Sequence, residues 1–403
     1  MANLRPFQYW QGSLEMSFTE RSHNSWFARM RNAASGIIFG FILLGVSILG
    51  MFWNEGRAVD TYKALLEGAG LVVHVEANSV DEVNNGRLVH VSGPVMMDEI
   101  PQDTLSGVEA ANAVGLVRQV EMYQWVEAKE TRTEKKLGGG EETITTYSYN
   151  RQWAGQAVDS AQFRQQAGHE NPPMIFESAS FVPAQGKVGV FGVNGESLAG
   201  LAQAQKINVP DENAFQLASS IGGGDVMIVA GDVYPGADPR KPEIGDMRVS
   251  YSRLDLSRAS FVARQSGDQL AAFTTSNGSS IFLSAPGEVD ASQMFADAQA
   301  SNRFLTWVLR GFLLFAMFMG FSLIFNILAV IADVVPLLGS IIGFGTNLAA
   351  FLLTLLLGPM VIAVAWFSAR PILAVIVAGL GVALVVGFVK MKRKKSNPEA
   401  VAG

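Results

Sequence analysis

The sequence predicts an α+β membrane protein. Four transmembrane helices are expected, one N-terminal and three C-terminal, with a large, mostly β extramembrane domain inserted between the first and second. Three observations carry this reading. Residues 311–389 are almost wholly apolar, interrupted by Asp333 and by Arg370-Pro371. Residues 33–53 form a second uncharged run, long enough as helix to cross a hydrocarbon core of about 30 Å. The polar stretch between them, 54–302, alternates with period 2 and is punctuated by turn residues, as half-buried strands require.

Composition narrows the functional classes. The 403 residues are 49% apolar, an average over a soluble-looking middle and a hydrocarbon-like C-terminal quarter. A net charge of −6 without long single-sign runs gives no footprint for nucleic acid. The absence of cysteine removes disulfides, thiolate catalysis and cysteine-ligated metals together. It suits an oxidising and a reducing compartment equally.

Residues 1–32 are expected as a cytoplasmic juxtamembrane segment. Arg5, Arg21, Arg29 and Arg31 alternate there with Tyr9, Trp10, Trp26 and Phe27, a mixture the headgroup region favours. Trp26, Arg29 and Arg31 are the expected interface anchors on this side, Trp53 and Arg57 on the other. A cleaved signal peptide does not fit, because the first span ends in Met51-Phe52-Trp53 rather than a small-residue cleavage site. Within transmembrane helix 1 (33–53), Gly36 and Gly40 make a GxxxG that lets two helix backbones approach.

The extramembrane domain (54–302) reads as strands near 71–76, 87–95, 117–129, 143–150, 226–233, 248–254, 259–265 and 280–284. The segments 159–166 and 211–219 read as helical. A hairpin is expected around Gly138-Gly139-Gly140. Asp290 reads as the N-cap of a helix running into the second span, 303–332.

The uncharged stretch 334–369 would be about 54 Å long as one helix, too long for one crossing. The basic tail (390–403), with Lys390, Lys392 and Arg393, should be cytoplasmic like the N-terminal arginines. Two ends on one side demand an even number of crossings. Residues 333–343, broken by Pro336 and Gly339, therefore read as an interfacial elbow. Transmembrane helices 3 (344–369) and 4 (370–389) follow, with Arg370 an anchor between them. Gly339 and Gly343 join Gly36 and Gly40 as expected packing and oligomerisation positions.

Little in the chain carries catalytic chemistry. His74, Glu76 and His90 could share a strand face, but a metal needs three or four ligands and a supporting shell, and satisfied strand histidines are the simpler reading. No nucleophile elbow surrounds a serine. Gly222-Gly223-Gly224-Asp225 precedes a strand instead of opening a helix, which disfavours a phosphate cradle. No motif calls for a cofactor or a resident metal. Ionisable residues are expected only at span ends, among them Arg310 and Asp333, which disfavours an ion-coupled transporter.

A set of motifs is more specific. Asn54-Glu55-Gly56-Arg57 follows the first span, and Glu121, Tyr123 and Trp125 lie in Val120-Glu121-Met122-Tyr123-Gln124-Trp125-Val126-Glu127. His169 lies in Gly168–Pro172, and Asp246 and Arg248 in Gly245–Ser250. Ala263–Leu270, Met317–Gly320 and Trp366 with Arg370-Pro371 complete the series. In this order, over nearly the whole chain, they resemble the transmembrane protein 43 (LUMA) family. The resemblance implies four spans, a large lumenal domain, self-association and, for animal members, the endoplasmic reticulum and inner nuclear membrane with emerin and lamins as partners. The compact, cysteine-free composition looks bacterial, so nuclear partners do not carry over. The lumen then becomes the periplasm and the membrane the bacterial inner membrane.

The expected function is a self-associating membrane scaffold that presents its outer domain to lipid or to other membrane proteins. An oligomeric channel or channel regulator is the alternative, with Asn326 or Asn347 lining an aqueous axis. An envelope enzyme would need His169, Asp246 and Glu121 to converge in a cleft.

Overall fold

The computed structural model describes residues 17–220, 225–366 and 371–395. Arg5, Tyr9, Trp10, the glycines 222–224 and Arg370 lie outside the described residues. In chain order the elements are β1 (Ser17–Asn24), α1 (Trp26–Leu71), β2 (Val73–His74), β3 (Leu88–Met97), β4 (Gln102–Asp103), β5 (Val108–Glu109), β6 (Gly115–Lys135) and β7 (Glu141–Ala154). There follow β8 (Ala179–Phe181), β9 (Gln185–Val188), β10 (Phe191–Asn194), α2 (Gly195–Ala199), β11 (Gln203–Ile207), α3 (Asp211–Ser220), β12 (Val226–Val229) and β13 (Asp232–Pro235). The last are β14 (Met247–Asp255), β15 (Arg258–Ser266), β16 (Gln269–Ala271), β17 (Phe273–Thr274), β18 (Ser280–Ile281), β19 (Leu283–Pro286), α4 (Ala291–Ala332), α5 (Pro336–Trp366) and α6 (Pro371–Lys395).

The α+β membrane class is what the structure has. Among the described residues, α1, α4 and α5 are long and apolar enough to cross a membrane. The fourth helix, α6, carries only a shorter apolar stretch, Gly379–Phe388, among its described residues. The β-rich domain lies between α1 and α4, as expected.

Two large sheets build most of that domain, with β4–β5 and β17–β18 as separate two-stranded pairs. One has the order β1-β7-β6-β14-β13-β12, with β11 also on β14 and β8 on β6. Its core is Leu116, Val120, Met122, Val233, Val249 and Tyr251 under Leu217 of α3. In the other, pairings run β3–β15–β16–β10–β9 and back to β3, closing a small barrel around Val91, Val188, Phe191 and Phe261. Closure leaves these strands no bare edge to protect.

The helices overrun the bounds expected for the spans. The first was expected over 33–53 and the second over 303–332. In fact α1 has 46 residues and α4 has 42, about 69 and 63 Å of helix. The physical reason is a third core cluster. Leu65 of α1 and Met294 and Phe295 of α4 pack with Leu88 and Val262 of the barrel strands and Ile281 of β18. Each such side chain, fully buried, contributes about 1.5–3 kcal/mol. Both helices therefore gain by continuing past the hydrocarbon. The elbow expected over 333–343 is shorter: α4 ends at Ala332 and α5 starts at Pro336, a residue suited to a first helical turn.

Residues 1–32 were expected as a juxtamembrane segment separate from the sheets of the domain. Instead β1 pairs with β7 from Ser17↔Ser148 to Asn24↔Glu141. The hairpin of β6 and β7 explains this. Strand β6 is 21 residues long, about 70 Å. Its distal half leaves the domain core and ends in a turn where Gly138 (φ 88°) and Gly139 (φ 79°) take left-handed backbone. With β1 on its edge, this distal half forms a three-stranded arm.

Along the bundle, Gly40 faces α4 of the same chain. A Cβ there would stand 2.7 Å from the Gly320 carbonyl oxygen, whereas at Gly36 the nearest atoms would be 3.8 Å away. Gly40→Ala should therefore lower stability by roughly 1–3 kcal/mol through overpacking. Gly36→Ala should be neutral or slightly stabilising. Thermal unfolding of the detergent-solubilised chain checks both, and equal effects would remove the close approach as their cause.

Candidate functional site

The site is built where α1 and α4 leave the apolar zone. Antiparallel helices bring the residue just after the first span level with the residue just before the second. Glu55 is 1% and Arg310 7% exposed. Arg310 donates from Nε and Nη2 to the two Glu55 carboxylate oxygens at 2.6 Å each, a bidentate pair. The Trp366 indole N–H, at the end of α5, also donates to Glu55. The guanidinium carbon lies 4.7 Å from the Trp307 ring centroid and 5.3 Å from that of Trp366, adding cation–π attraction.

Two residues further along α1, Arg57, expected as an interface anchor, turns toward α4. It donates to the side-chain oxygens of Asn302 (3.1 Å), Asn54 (3.2 Å) and Thr306 (3.1 Å). The Asn54 amide donates to the Thr306 carbonyl at 3.2 Å, and the Asn302 amide to the Ala58 carbonyl at 3.0 Å. The Asn54–Arg57 motif is thus a seam that ties α1 to α4 by polar contacts. Gly56 points outward with open space where a Cβ would be. A cavity of about 430 Å³ opens beside the seam, lined by Glu55, Tyr62, Arg303, Trp307, Arg310 and Trp366 among others.

A second cluster closes the other end of the helices. Asp333, 1% exposed, accepts from Arg29 at 2.6 Å and from Lys135 of the arm at 2.8 Å. Arg29 also pairs with Glu141 at 2.8 Å and donates to the Gly139 carbonyl at 2.6 Å. The Trp26 indole donates to the Val330 carbonyl at 2.9 Å, and the Gly138 N–H to the Val334 carbonyl at 3.2 Å. Trp26 and Arg29, expected as interface anchors, are therefore parts of a latch that holds the arm tip. Arg31 and Trp53 do point outward, and Lys390 is exposed. Lys392 and Arg393 lie in the last turns of α6.

The packing glycines find partners within the chain. A Cβ on Gly339 would strike the Asp333 carboxylate at 1.7 Å, and one on Gly343 would meet Ala329 at 3.6 Å. Gly40 meets α4, as described. Within one copy, these glycines press against α4 and the residue that caps it.

The remaining motif residues shape the domain and the root of the arm. His169, 2% exposed, stacks on Tyr149 at 4.1 Å and meets Trp125 edge-on at 4.7 Å. Glu127 accepts from the Tyr149 hydroxyl at 2.7 Å, and burial with this carboxylate raises the Tyr149 pKa. Arg248 pairs across strands with Glu121 at 2.6 Å and covers Trp153, which Tyr123 also touches. Asp246 accepts from the Tyr234 hydroxyl at 2.7 Å and from the Glu243 N–H at 2.9 Å. His169, Asp246 and Glu121 are thus each held by a different set of partners. His74 and His90 face each other across β2 and β3, ring nitrogens 3.0 Å apart, with the second His90 nitrogen 2.8 Å from the Val289 carbonyl. Burial lowers the His90 pKa. Among the described residues no group of three or more His, Asp or Glu side chains converges as a metal site.

Sequence reading missed the partnership of Glu55 with Arg310, because they are 255 positions apart. The signal was available: one acid just beyond the first span, one base just before the second.

Removing one member of the buried pair strands the other charge. Glu55→Gln or Arg310→Met alone should cost about 3–5 kcal/mol, and the double substitution less than the sum. Unfolding midpoints of the three variants measure this, and simple additivity would dissolve the pair.

A sequence model of the family described as Transmembrane protein 43 matches residues 122–371. Transmembrane protein 43 of Homo sapiens is 33% identical over 381 residues, 91% of this chain and 93% of that protein. The Pongo abelii protein is 33% identical over 394 residues, 94% of each. The Drosophila melanogaster homolog is 32% identical over 368 residues, 88% of this chain and 94% of that one. No solved structure matches. The chain belongs to the transmembrane protein 43 family.

Proposed function

We propose that this protein is a self-associating membrane organiser, in which copies come together to shield their polar arms while the outer domains face partners or lipid. The observation that carries the reading is the arm. It starts in the domain sheet and is latched to the opposite ends of α1 and α4. Arg29 and Glu55 are about 39 Å apart along α1, so the arm runs beside the apolar helices for the depth of a bilayer.

Such a ribbon is foreign to acyl chains. It carries Glu20, Arg21, His23, Lys129, Glu130, Arg132 and Glu134, and residues 128–133 of β6 are exposed. Each charge at mid-bilayer costs about 2.5–3.5 kcal/mol on insertion scales, and the bare strand edges add unsatisfied backbone groups. Another copy, with its own arm turned inward, offers the matching cover. Asn326 and Asn347 are exposed on α4 and α5, where interhelical hydrogen bonds to a neighbour can form. On this reading both termini and the latch are cytoplasmic, α6 supplies the fourth crossing, and the domain lies on the far face. That face is periplasmic if the membrane is the bacterial inner membrane.

A channel is the second reading, and the same arm favours it. A closed ring with charged ribbons inside would enclose water, whereas a compact or open-ended cluster would not.

The cysteine-free background makes the arm directly testable. Leu137 at the arm tip is 88% and Val83 in the domain 76% exposed. Leu137→Cys and Val83→Cys should react with an impermeant maleimide from opposite faces of the membrane, and labelling from one face would refute an arm that runs the depth of the bilayer. The mass of the detergent-extracted particle should be a multiple of 43.3 kDa. A single-chain mass would remove self-association.

A further inference from the structure

The cavity beside the Glu55–Arg310 pair has a use that the clamp between helices does not require. Its position is set by the sequence. Residues 55–62 follow the first apolar run and residues 303–310 precede the second, so the opening lies at headgroup depth on the domain side. Its walls combine two chemistries. Trp307 (68% exposed), Tyr62 (38% exposed) and Ala58 offer ring and methyl surface, whereas Arg303 stands exposed at the rim. At about 430 Å³ it falls in the range of small-molecule sites.

Charge decides what fits. The Glu55 carboxylate is already satisfied by both Arg310 nitrogens and the Trp366 indole. Arg303, by contrast, has no carboxylate within ion-pair distance among the described residues. The mouth of the cavity therefore presents net positive charge beside aromatic walls at the membrane surface. An aromatic belt with an unneutralised arginine recognises a phosphate on a hydrocarbon stem.

We propose that this cavity binds one anionic phospholipid, its phosphate at Arg303 and its glycerol and upper acyl segment against Trp307 and Tyr62. A net-negative headgroup is preferred over a zwitterionic one, since the latter brings its own cation to a site already positive. Binding would add a ligand to the α1–α4 seam at the point where domain and membrane join. The inference does not depend on self-association, because every residue of the site comes from one copy.

The test uses the full chain in neutral detergent, titrated with dioctanoyl phosphatidylglycerol and followed by tryptophan fluorescence. Saturable binding is expected, weakened about tenfold by Arg303→Gln, the scale of one charge-assisted hydrogen bond, and weakened also by Trp307→Ala. Inorganic phosphate should produce no response, and dioctanoyl phosphatidylcholine a weaker one. Unchanged affinity in Arg303→Gln would overturn the proposal. So would an equal response to phosphatidylcholine, or saturation by inorganic phosphate alone. Particle mass, read in the same samples, reports separately on association of copies.

Discussion

The buried bidentate pair of Glu55 and Arg310 is the constraint on which the molecule depends. Two charges removed from water cost several kcal/mol each, and only near-ideal geometry recovers that cost. The geometry here is near-ideal because both backbones are regular helices, with fork meeting fork at 2.6 Å. An ion pair of this kind contributes little net stability but discriminates strongly against wrong registers. Sliding α4 by one turn past α1 would strand both charges and separate Arg57 from Asn302 and Thr306. The pair therefore sets the register that the featureless apolar faces of these helices leave open.

Register at one end has consequences at the other. With Glu55 opposite Arg310, Gly40 comes opposite Gly320, where the backbones are so close that a Cβ has no room. Further along, Trp26 meets Val330 and Arg29 meets Asp333. A polar lock at each end with a glycine contact between them leaves no free rotation. Because α1 and α4 continue past the hydrocarbon and pack on the domain through Leu65, Met294 and Phe295, the domain has no linker about which to swing. Its orientation to the membrane is fixed by the same two helices that cross it.

The class of the molecule was legible because hydrocarbon length and strand alternation are local signals. The helix start at Asp290, the longer strands β3, β6, β7, β14 and β15 and the glycine turn of the long hairpin were readable for the same reason, whereas 71–76 is strand only at Val73–His74 and 226–233 divides into β12 and β13. What escaped was non-local. Nothing local marks Trp26 and Arg29 as latch residues, since a cation and an indole beside a span ordinarily mean headgroups. Their diversion follows from the excess length of β6, which carries Lys135 and Gly139 to the far end of the bundle. Similarly, Ser17–Asn24 looks like a polar tail until an edge strand lies beside it. Gly36 and Gly40 were read as one motif, yet only Gly40 is pressed against backbone. Spacing identifies a face, not which residue on it sits at the crossing point.

The arm joins these strands of reasoning. A charged ribbon beside a hydrocarbon-facing bundle is unstable as a solitary arrangement, and the latch at Asp333 is too well satisfied for the ribbon simply to swing away. Releasing it would strand a carboxylate that is 1% exposed and already committed to Arg29 and Lys135. The molecule thus holds its least lipid-compatible surface against the membrane zone and expends buried charge to keep it there. Such a cost is recovered only if something other than lipid faces that surface. On the proposed reading that cover is a further copy of the same chain, whose own arm is polar, as deep as the bilayer and present wherever the protein is.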